Sequence, residues 1–494
     1  MRVVVVVVAL LCAPAGRAED ELGFNGSAAG RGQLTLPSSS SLSSTRDLPI
    51  AHGLAEANLQ ARGRFFDRRL SLLADTSLFV QRGFGFVDDG DVIFDHDVAE
   101  DHPRLVISEL SLRAELFEHL DVTIGKTRVV WGTGIATNPT DVLNPPRDPT
   151  DPTFQRAGIW QLKVDVPVDN VTWSAFFAPT ILHTEAGLPM AAFAWPSYAI
   201  DGAPPRDNEL HWAAGARLYA LVADTDLNLW MVWSNLAGDA FEDKARFMAS
   251  VSRLIGDQIE VHGEVLLQTG TTRLYADGDC VDDDAALVGC ARAGRSPIAA
   301  SKLDDDDVLP RLLLGFRWLP ADIALLSEAI LTVEYLYAAD GYDDDELGDL
   351  FALQALGAKR ARTGRPAPPT PTTTSSDGLP ARVGFDALRK HTVFVSFTKP
   401  RIFEDFTVTA GLIAAPEDLS GLVSLNTVWS AQEWLQLQAF VFVPVPSMAR
   451  VFDVRDAAWP HAPVVDVDGE ALVTGAFDSS PFAARAVFEA RVFF

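Results

Sequence analysis

Apolar residues recur at every second position through most of this chain. Residues 105–116 put Val106, Leu110, Leu112, Ala114 and Leu116 on one face and Glu109, Arg113 and Glu115 on the other. Residues 258–268 set Ile259, Val261, Val265 and Leu267 against Glu260, His262, Glu264 and Gln268. Residues 311–318 alternate Leu312, Leu314, Phe316 and Trp318 with Arg311 and Arg317, and residues 434–443 carry Gln436 and Gln438 on their polar face. The final run places Ala484, Ala486, Phe488, Ala490, Val492 and Phe494 opposite Arg485, Glu489 and Arg491. A period of two is that of a β-strand, and a strand with one apolar and one charged face separates two different solvents. Apart from the first residues, no stretch reaches the roughly eighteen uninterrupted apolar residues of a membrane-spanning helix.

The links between these segments alternate in length. Residues 66–67, 117–120, 167–170, 223–225, 256–257, 400–404 and 430–432 are tight, whereas 83–103, 132–156, 180–209, 270–307 and 338–389 are long and polar. Tight turns on one rim and long loops on the other are the asymmetry of transmembrane β-barrels. The pattern predicts an all-β fold: a single antiparallel transmembrane barrel of about 18 strands, with 16 as the alternative. Its first strands fall near 23–36, a glycine- and alanine-rich stretch, and 54–65, and its last at 482–494. The end of the chain, with Phe488, Val492 and Phe494, resembles the assembly signal of bacterial outer-membrane barrels. The last strand would close against the first, leaving no edge unpaired in lipid.

The start, MRVVVVVVALLCAPAGRAED, has a basic residue, an apolar run and small residues at Gly16 and Ala18. This is the layout of a signal peptide over residues 1–18, with Ala15 as a fallback cleavage site. Cys12 follows Leu11, where a lipidation signal wants a small residue. Residues 19–494 would form the barrel. The formal charge is −27, and removing Arg2 and Arg17 takes it to −29, which argues against nucleic acid as a partner. Cys280 and Cys290 remain, and in an oxidising compartment they are expected to form a disulfide closing part of the 270–307 loop.

Several polar-face residues are candidates for lining the lumen. They are Arg113, Lys126, Arg128, Arg217, Arg246, Glu260, His262, Glu264, Arg311, Arg317, Glu334, Arg485, Glu489 and Arg491. Mixed charges on an inner wall suit a water-filled pore and bias its ion selectivity. The same charges would equally brace a barrel plugged by its loops. Near Gly125 the register is ambiguous, because Val122 and Ile124 share parity with Lys126 and Arg128, and a bulge there would resolve it.

The run GKTRVVWGTGIATNPTDVLNPPRDPTDP, residues 125–152, leads from a basic strand through Trp131 and Gly132 into a proline-rich loop. Pro139, Pro145, Pro146, Pro149 and Pro152 stiffen it, which fits either an inward fold narrowing the lumen or a rigid outer cap. The basic strand, the W-G pair and the N-P-x-D of Asn138, Pro139 and Asp141 resemble a group of porin-like outer-membrane proteins of Gram-negative bacteria. That resemblance implies an outer-membrane barrel and little about cargo.

Acidic runs at 88–101, 277–284, 304–307 and 343–349 could hold calcium but lack the spacing of an EF-hand, and solvated surface charge explains them better. No metal or cofactor is otherwise expected. Trp160, Trp212, Trp230, Trp233, Trp318, Trp429 and Trp434 suit interfacial girdles. His262 lies between Glu260 and Glu264, yet no nucleophile motif accompanies it, so the chain is expected not to be an enzyme. The expectation is a channel for passive or weakly selective diffusion of small hydrophilic solutes. It would contact lipid and lipopolysaccharide after insertion by the barrel-assembly machinery, and a homo-oligomer is compatible with the sequence. The rivals are a partner-dependent exporter or assembly barrel, for instance for polysaccharide, and an outer-membrane hydrolase with a nucleophile beside His262.

Overall fold

The computed structural model describes residues 21–37, 51–66, 69–84, 86–88, 91–93, 104–129, 131–143, 158–181, 210–234, 244–270, 274–295, 298–300, 307–320, 323, 326–362, 389–445, 464–467, 470–473 and 482–494. The proposed signal peptide, Cys12 and the later prolines of the proline-rich run (Pro145, Pro146, Pro149 and Pro152) lie outside these residues, as does most of the acidic runs at 88–101 and 304–307.

The barrel strands are β1 (Glu21–Pro37), β2 (Ala51–Phe65), β3 (Leu70–Phe84), β4 (Arg104–Phe117), β5 (Leu120–Thr127) and β6 (Ile159–Val168). They continue with β7 (Val171–Ile181), β8 (Leu210–Val222), β9 (Thr225–Ser234), β10 (Lys244–Ile255), β11 (Ile259–Thr269) and β12 (Val308–Trp318). The last six are β13 (Ile330–Ala338), β14 (His391–Ile402), β15 (Phe406–Ala415), β16 (Ser420–Gln432), β17 (Leu435–Val445) and β18 (Phe482–Phe493). They form one 18-stranded antiparallel sheet in which β18 returns to pair with β1, so it is a closed barrel. The count matches the higher of the two sequence expectations. Closure leaves no strand edge facing lipid, which is what permits a sheet to cross a bilayer.

Alternation explains the wall. On β9, Leu229, Met231 and Trp233 are exposed on the outside while Asn228, Trp230, Val232 and Ser234 are buried on the inside. Leu314 on β12, Phe247 on β10 and Phe488 on β18 continue the outer apolar band. An exposed apolar band of this extent is a lipid-facing surface. The tight-turn rim uses left-handed residues, such as Ala223 and Asp224 (φ 48° and 60°), the geometry of a two-residue hairpin turn.

The seam between β18 and β1 is closed by the last residue. Phe494 N donates to Gly26 O at 2.9 Å, and Gly26 N donates to Phe494 O at 2.8 Å. A Cβ on Gly26 would lie 2.2 Å from the Phe494 ring, so the ring occupies the space left by the glycine. Glycine in this strand gives the aromatic side chain its seat.

Two details of the sequence reading change. The parity run through 105–116 breaks at Ser108, where Asp75 pairs with Glu109 but Thr76 pairs with Ile107, so Val106 no longer shares its parity with Leu110. Near Gly125 there is no bulge: pairing with β4 runs unbroken from Asp121 to Lys126. Gly125 instead adopts φ 129°, and a Cβ there would sit 2.1 Å from Leu110 O.

The long loops after β11 and β13 carry helices α1 (Gly278–Val281), α2 (Asp284–Arg292) and α3 (Asp344–Arg362). Cys280 and Cys290 are disulfide-bonded with Cα atoms 5.7 Å apart. Their half-cystines pack with Ala276, Val281, Leu287 and Leu353 in an apolar cluster that joins these two loops into a cap. Buried Arg389 ties the cap to the link between β15 and β16 through Asp344 and Asp418.

Candidate functional site: a loop folded into the barrel

β5 is short, ending at Thr127 opposite Ile159, the first residue of β6, while β4 continues. Past that point Gly158 N donates to Ser108 O at 2.8 Å, so β4 reaches the head of β6 directly and the chain after β5 is released from the wall. A Cβ at Gly158 would fall 2.5 Å from Thr127 C, so this close approach requires glycine.

Residues 131–143 turn inward. Trp131 is 6% exposed and packs edge-on against Phe176 (5.1 Å between centroids) and Trp230 (6.1 Å). Val129, Leu143, Ile159, Ala178, Ala213, Val232, Met248 and Leu266 complete this cluster, which draws on β6 to β11. Trp230 therefore belongs to the inner wall and not to an interfacial girdle, because the loop shields it from water. Trp233 and Trp429, by contrast, are exposed on the outer face, and so is Trp434, in the turn after β16.

A loop buried in a barrel must satisfy its own backbone. Two wall carboxylates do this. Glu264 on β11 accepts from Thr133 N and from Gly134 N at 2.6 Å, and its Oε2 lies 2.8 Å from Thr140 Oγ1. Glu334 on β13 accepts from Ile135 N (2.6 Å), Ala136 N (3.0 Å) and Thr137 N (3.4 Å), and His262 Nε2 stands 3.0 Å from its Oε1. Hydrogen bonds to an ionised acceptor are the strong ones, and here they come in a row from consecutive amides. The partner of His262 is thus Glu334, while Glu260 pairs with Arg317 at 3.2 Å. Gly315 makes room: a Cβ there would lie 2.3 Å from His262 Nε2.

The W-G and N-P-x-D residues have local reasons. Gly132 has φ 91°, and a Cβ would strike Thr140, Asn138 and Glu264 within 2.6 Å. Asn138 Nδ2 donates to Trp131 O at 2.8 Å, and Asp141 N donates to Asn138 O at 3.1 Å around Pro139. Proline at the second position of a turn presets its φ.

The remaining candidates lie mostly in ion pairs. Arg113 bonds Asp121, Arg311 donates to Asp340 at 2.9 Å, and Arg246 donates to Ser234 at 2.6 Å. Glu489 accepts from Arg31 (3.0 Å) and Arg491 (2.9 Å), and Arg491 lies 3.6 Å from Glu56. Arg128, just beyond β5, lies 3.6 Å from Asp75 and 3.8 Å from Glu109. Arg217 donates to Asn228 at 2.9 Å, with its guanidinium 5.9 Å from the Trp131 ring. Arg485 is buried on the inner face, and Lys126 is buried at a register position between Leu110 and Trp160. Among the described residues no group of three or more His, Cys, Asp or Glu side chains gathers to hold a metal.

Sequence reading missed Arg31, Glu56, Asp75, Asp121, Lys163 and Asp165, whose strands alternate weakly. It also missed the inner apolar patch. The signal was there in residues 229–233, LWMVW, apolar on both faces of one strand. An inner face that is apolar must be covered by something other than water.

Next to β13, the inner face of β14 to β17 mixes neutral polar residues with buried Leu422, Phe440 and Phe442. Ser396, Thr398, Thr409, Asn426, Gln436 and Gln438 are half-buried there, with Thr398 and Thr409 hydroxyls 3.0 Å apart. Fold and site together define a transmembrane β-barrel with an in-folded loop.

No protein-family model and no curated protein matches the chain. Among solved structures it is similar to OpdK of Pseudomonas aeruginosa determined with vanillate, at 10% identity and TM-score 0.47, covering 95% of this chain and 98% of that one. It is also similar to OccAB2 of Acinetobacter baumannii, at 8% identity and TM-score 0.46, covering 96% and 98%. A further similar structure is OprE of Pseudomonas aeruginosa, at 10% identity and TM-score 0.46, covering 95% and 98%.

Proposed function

We propose that this protein is a Gram-negative outer-membrane channel, through which small hydrophilic solutes diffuse past a constriction made by residues 131–143. The observation that carries this reading is the attachment of that loop inside the barrel by Glu264 and Glu334. A loop fixed by one side leaves the strands it does not touch, with Thr398, Asn426 and Gln438 among their half-buried polar residues, to border the passage. Charged and hydroxyl-bearing walls replace part of a solute's hydration without holding it, which is what conduction requires. The loop residues Trp131, Asn138, Pro139 and Asp141 serve as its structural frame, and the paired wall charges set ion preference. The barrel carries no catalytic role in this reading, and lipopolysaccharide is its outer-leaflet neighbour.

The test is single-channel current from the refolded chain in planar bilayers. Discrete steps, with a reversal potential in a salt gradient, are expected. A chain that shows heat-modifiable barrel mobility but passes no current refutes the channel.

A further inference from the structure

A cavity of ≈480 Å³ opens on the inner wall between β4 and β8, next to the in-folded loop and towards the tight-turn rim. Small-molecule sites typically measure about 300–1,000 Å³. Three cations border it, Arg113, Lys163 and Arg217, and none stands as a bare charge. Arg113 Nη2 donates to Asp121 Oδ2, and Lys163 Nζ lies 2.9 Å from Asp165 Oδ2. Arg217 donates to Asn228, with its guanidinium 5.9 Å from the Trp131 ring. Ser174 Oγ donates to Asp165 Oδ1 at 2.6 Å. The Arg113 side chain is 60% exposed, so these groups face lumen water.

Each station therefore presents a donor beside an acceptor in fixed geometry. A solute carboxylate drawn to Arg113 or Lys163 meets Asp121 or Asp165 at the same place, and like charges in one site repel. A vicinal diol both donates and accepts, so it bridges such a pair without displacing either member. The lumen repeats the arrangement in Arg317–Glu260 and in Arg31–Glu489–Arg491. Trp131 anchors the loop and touches Arg217, so the cavity is the next station for a solute that has cleared the constriction.

We infer that this cavity is a subsite for neutral polyhydroxylated solutes of monosaccharide size, in preference to carboxylates, within the channel proposed above. The experiment compares swelling of liposomes carrying the protein in iso-osmotic glucose and in sodium gluconate, which share a carbon skeleton and differ in charge. Glucose is expected to enter about tenfold faster, the factor that corresponds to about 1.4 kcal/mol. Asp121→Asn combined with Asp165→Asn bares Arg113 and Lys163, and the ratio is expected to fall towards or below unity. Potassium chloride conductance, measured in parallel, is expected to persist in both proteins. Gluconate entering the wild type as fast as glucose overturns the inference, and so does an unchanged ratio in a variant that still conducts. Absence of any ion current in the wild type overturns the channel and the subsite together.

Discussion

Replacing Glu334 by alanine is the sharpest perturbation of the in-folded loop. The side chain is 1% exposed and serves three consecutive amides and an imidazole. Leaving out the 3.4 Å contact to Thr137, three bonds at 2.6, 3.0 and 3.0 Å are lost. A hydrogen bond to a charged group contributes about 1.5–3 kcal/mol, and an amide left without an acceptor costs a similar amount. Water entering the space of the removed carboxylate recovers part of this, so a net local loss of about 3 kcal/mol is the working figure. That moves the ratio of held to released loop by about a hundredfold. Glu264 and the Trp131 cluster still hold the other half of the loop, so the expected state is a partly detached loop that visits several positions. The barrel wall is held by its own strand pairing and should fold as before, which heat-modifiable mobility verifies. Single-channel recordings should then show larger steps and more open-channel noise than the wild type. A variant that folds and conducts with wild-type step size and wild-type noise refutes the assignment of Glu334 as the loop's fastening.

Gly315→Ala should act in the same direction without touching the loop: a Cβ 2.3 Å from His262 Nε2 pushes the fully buried imidazole against Glu334. Raised open-channel noise checks it. Gly26→Leu removes the seat of the Phe494 ring, 2.2 Å from the glycine's Cβ position, and should lower the yield of heat-modifiable folded barrel; wild-type yield refutes the role of the seam. Cys280→Ser opens a disulfide of sequence separation 10, a loop for which closure contributes about 2–3 kcal/mol. Limited proteolysis should then cut sooner within 274–295, while the barrel keeps its mobility.

Much of the barrel was legible in the sequence because its two faces meet different solvents. Segments such as 258–268 alternate cleanly, and tight and long links alternate with them. What could not be read depends on contacts across the lumen. Nothing in the neighbourhood of Glu264 distinguishes it from Glu260, four residues away on the same face. One fastens loop amides and the other pairs with Arg317, a difference set by where residues 131–143 come to rest. The same applies to the inner apolar patch. Trp230 and Met248 look like lipid-facing residues until the loop is placed over them. The bulge at Ser108 is invisible to a parity count, yet it lies where β4 bonds Gly158 and lets the chain leave the wall.

The two kinds of attachment divide the work of holding the loop. The Trp131 cluster supplies non-directional burial, which would tolerate sliding along the wall. The carboxylates supply direction, because consecutive amides from Thr133 to Thr137 must point at Glu264 or Glu334 and nowhere else. A polar backbone buried without such acceptors would cost more than the apolar packing returns. In the channel proposed above, the passage would be bounded on one side by a loop fixed to the wall and on the other by the strands the loop does not touch. Selectivity in such a channel resides in fixed geometry and paired charge. On the proposals made above, solutes would differ at the constriction by shape and, one station later, by whether they can share an ion pair without breaking it.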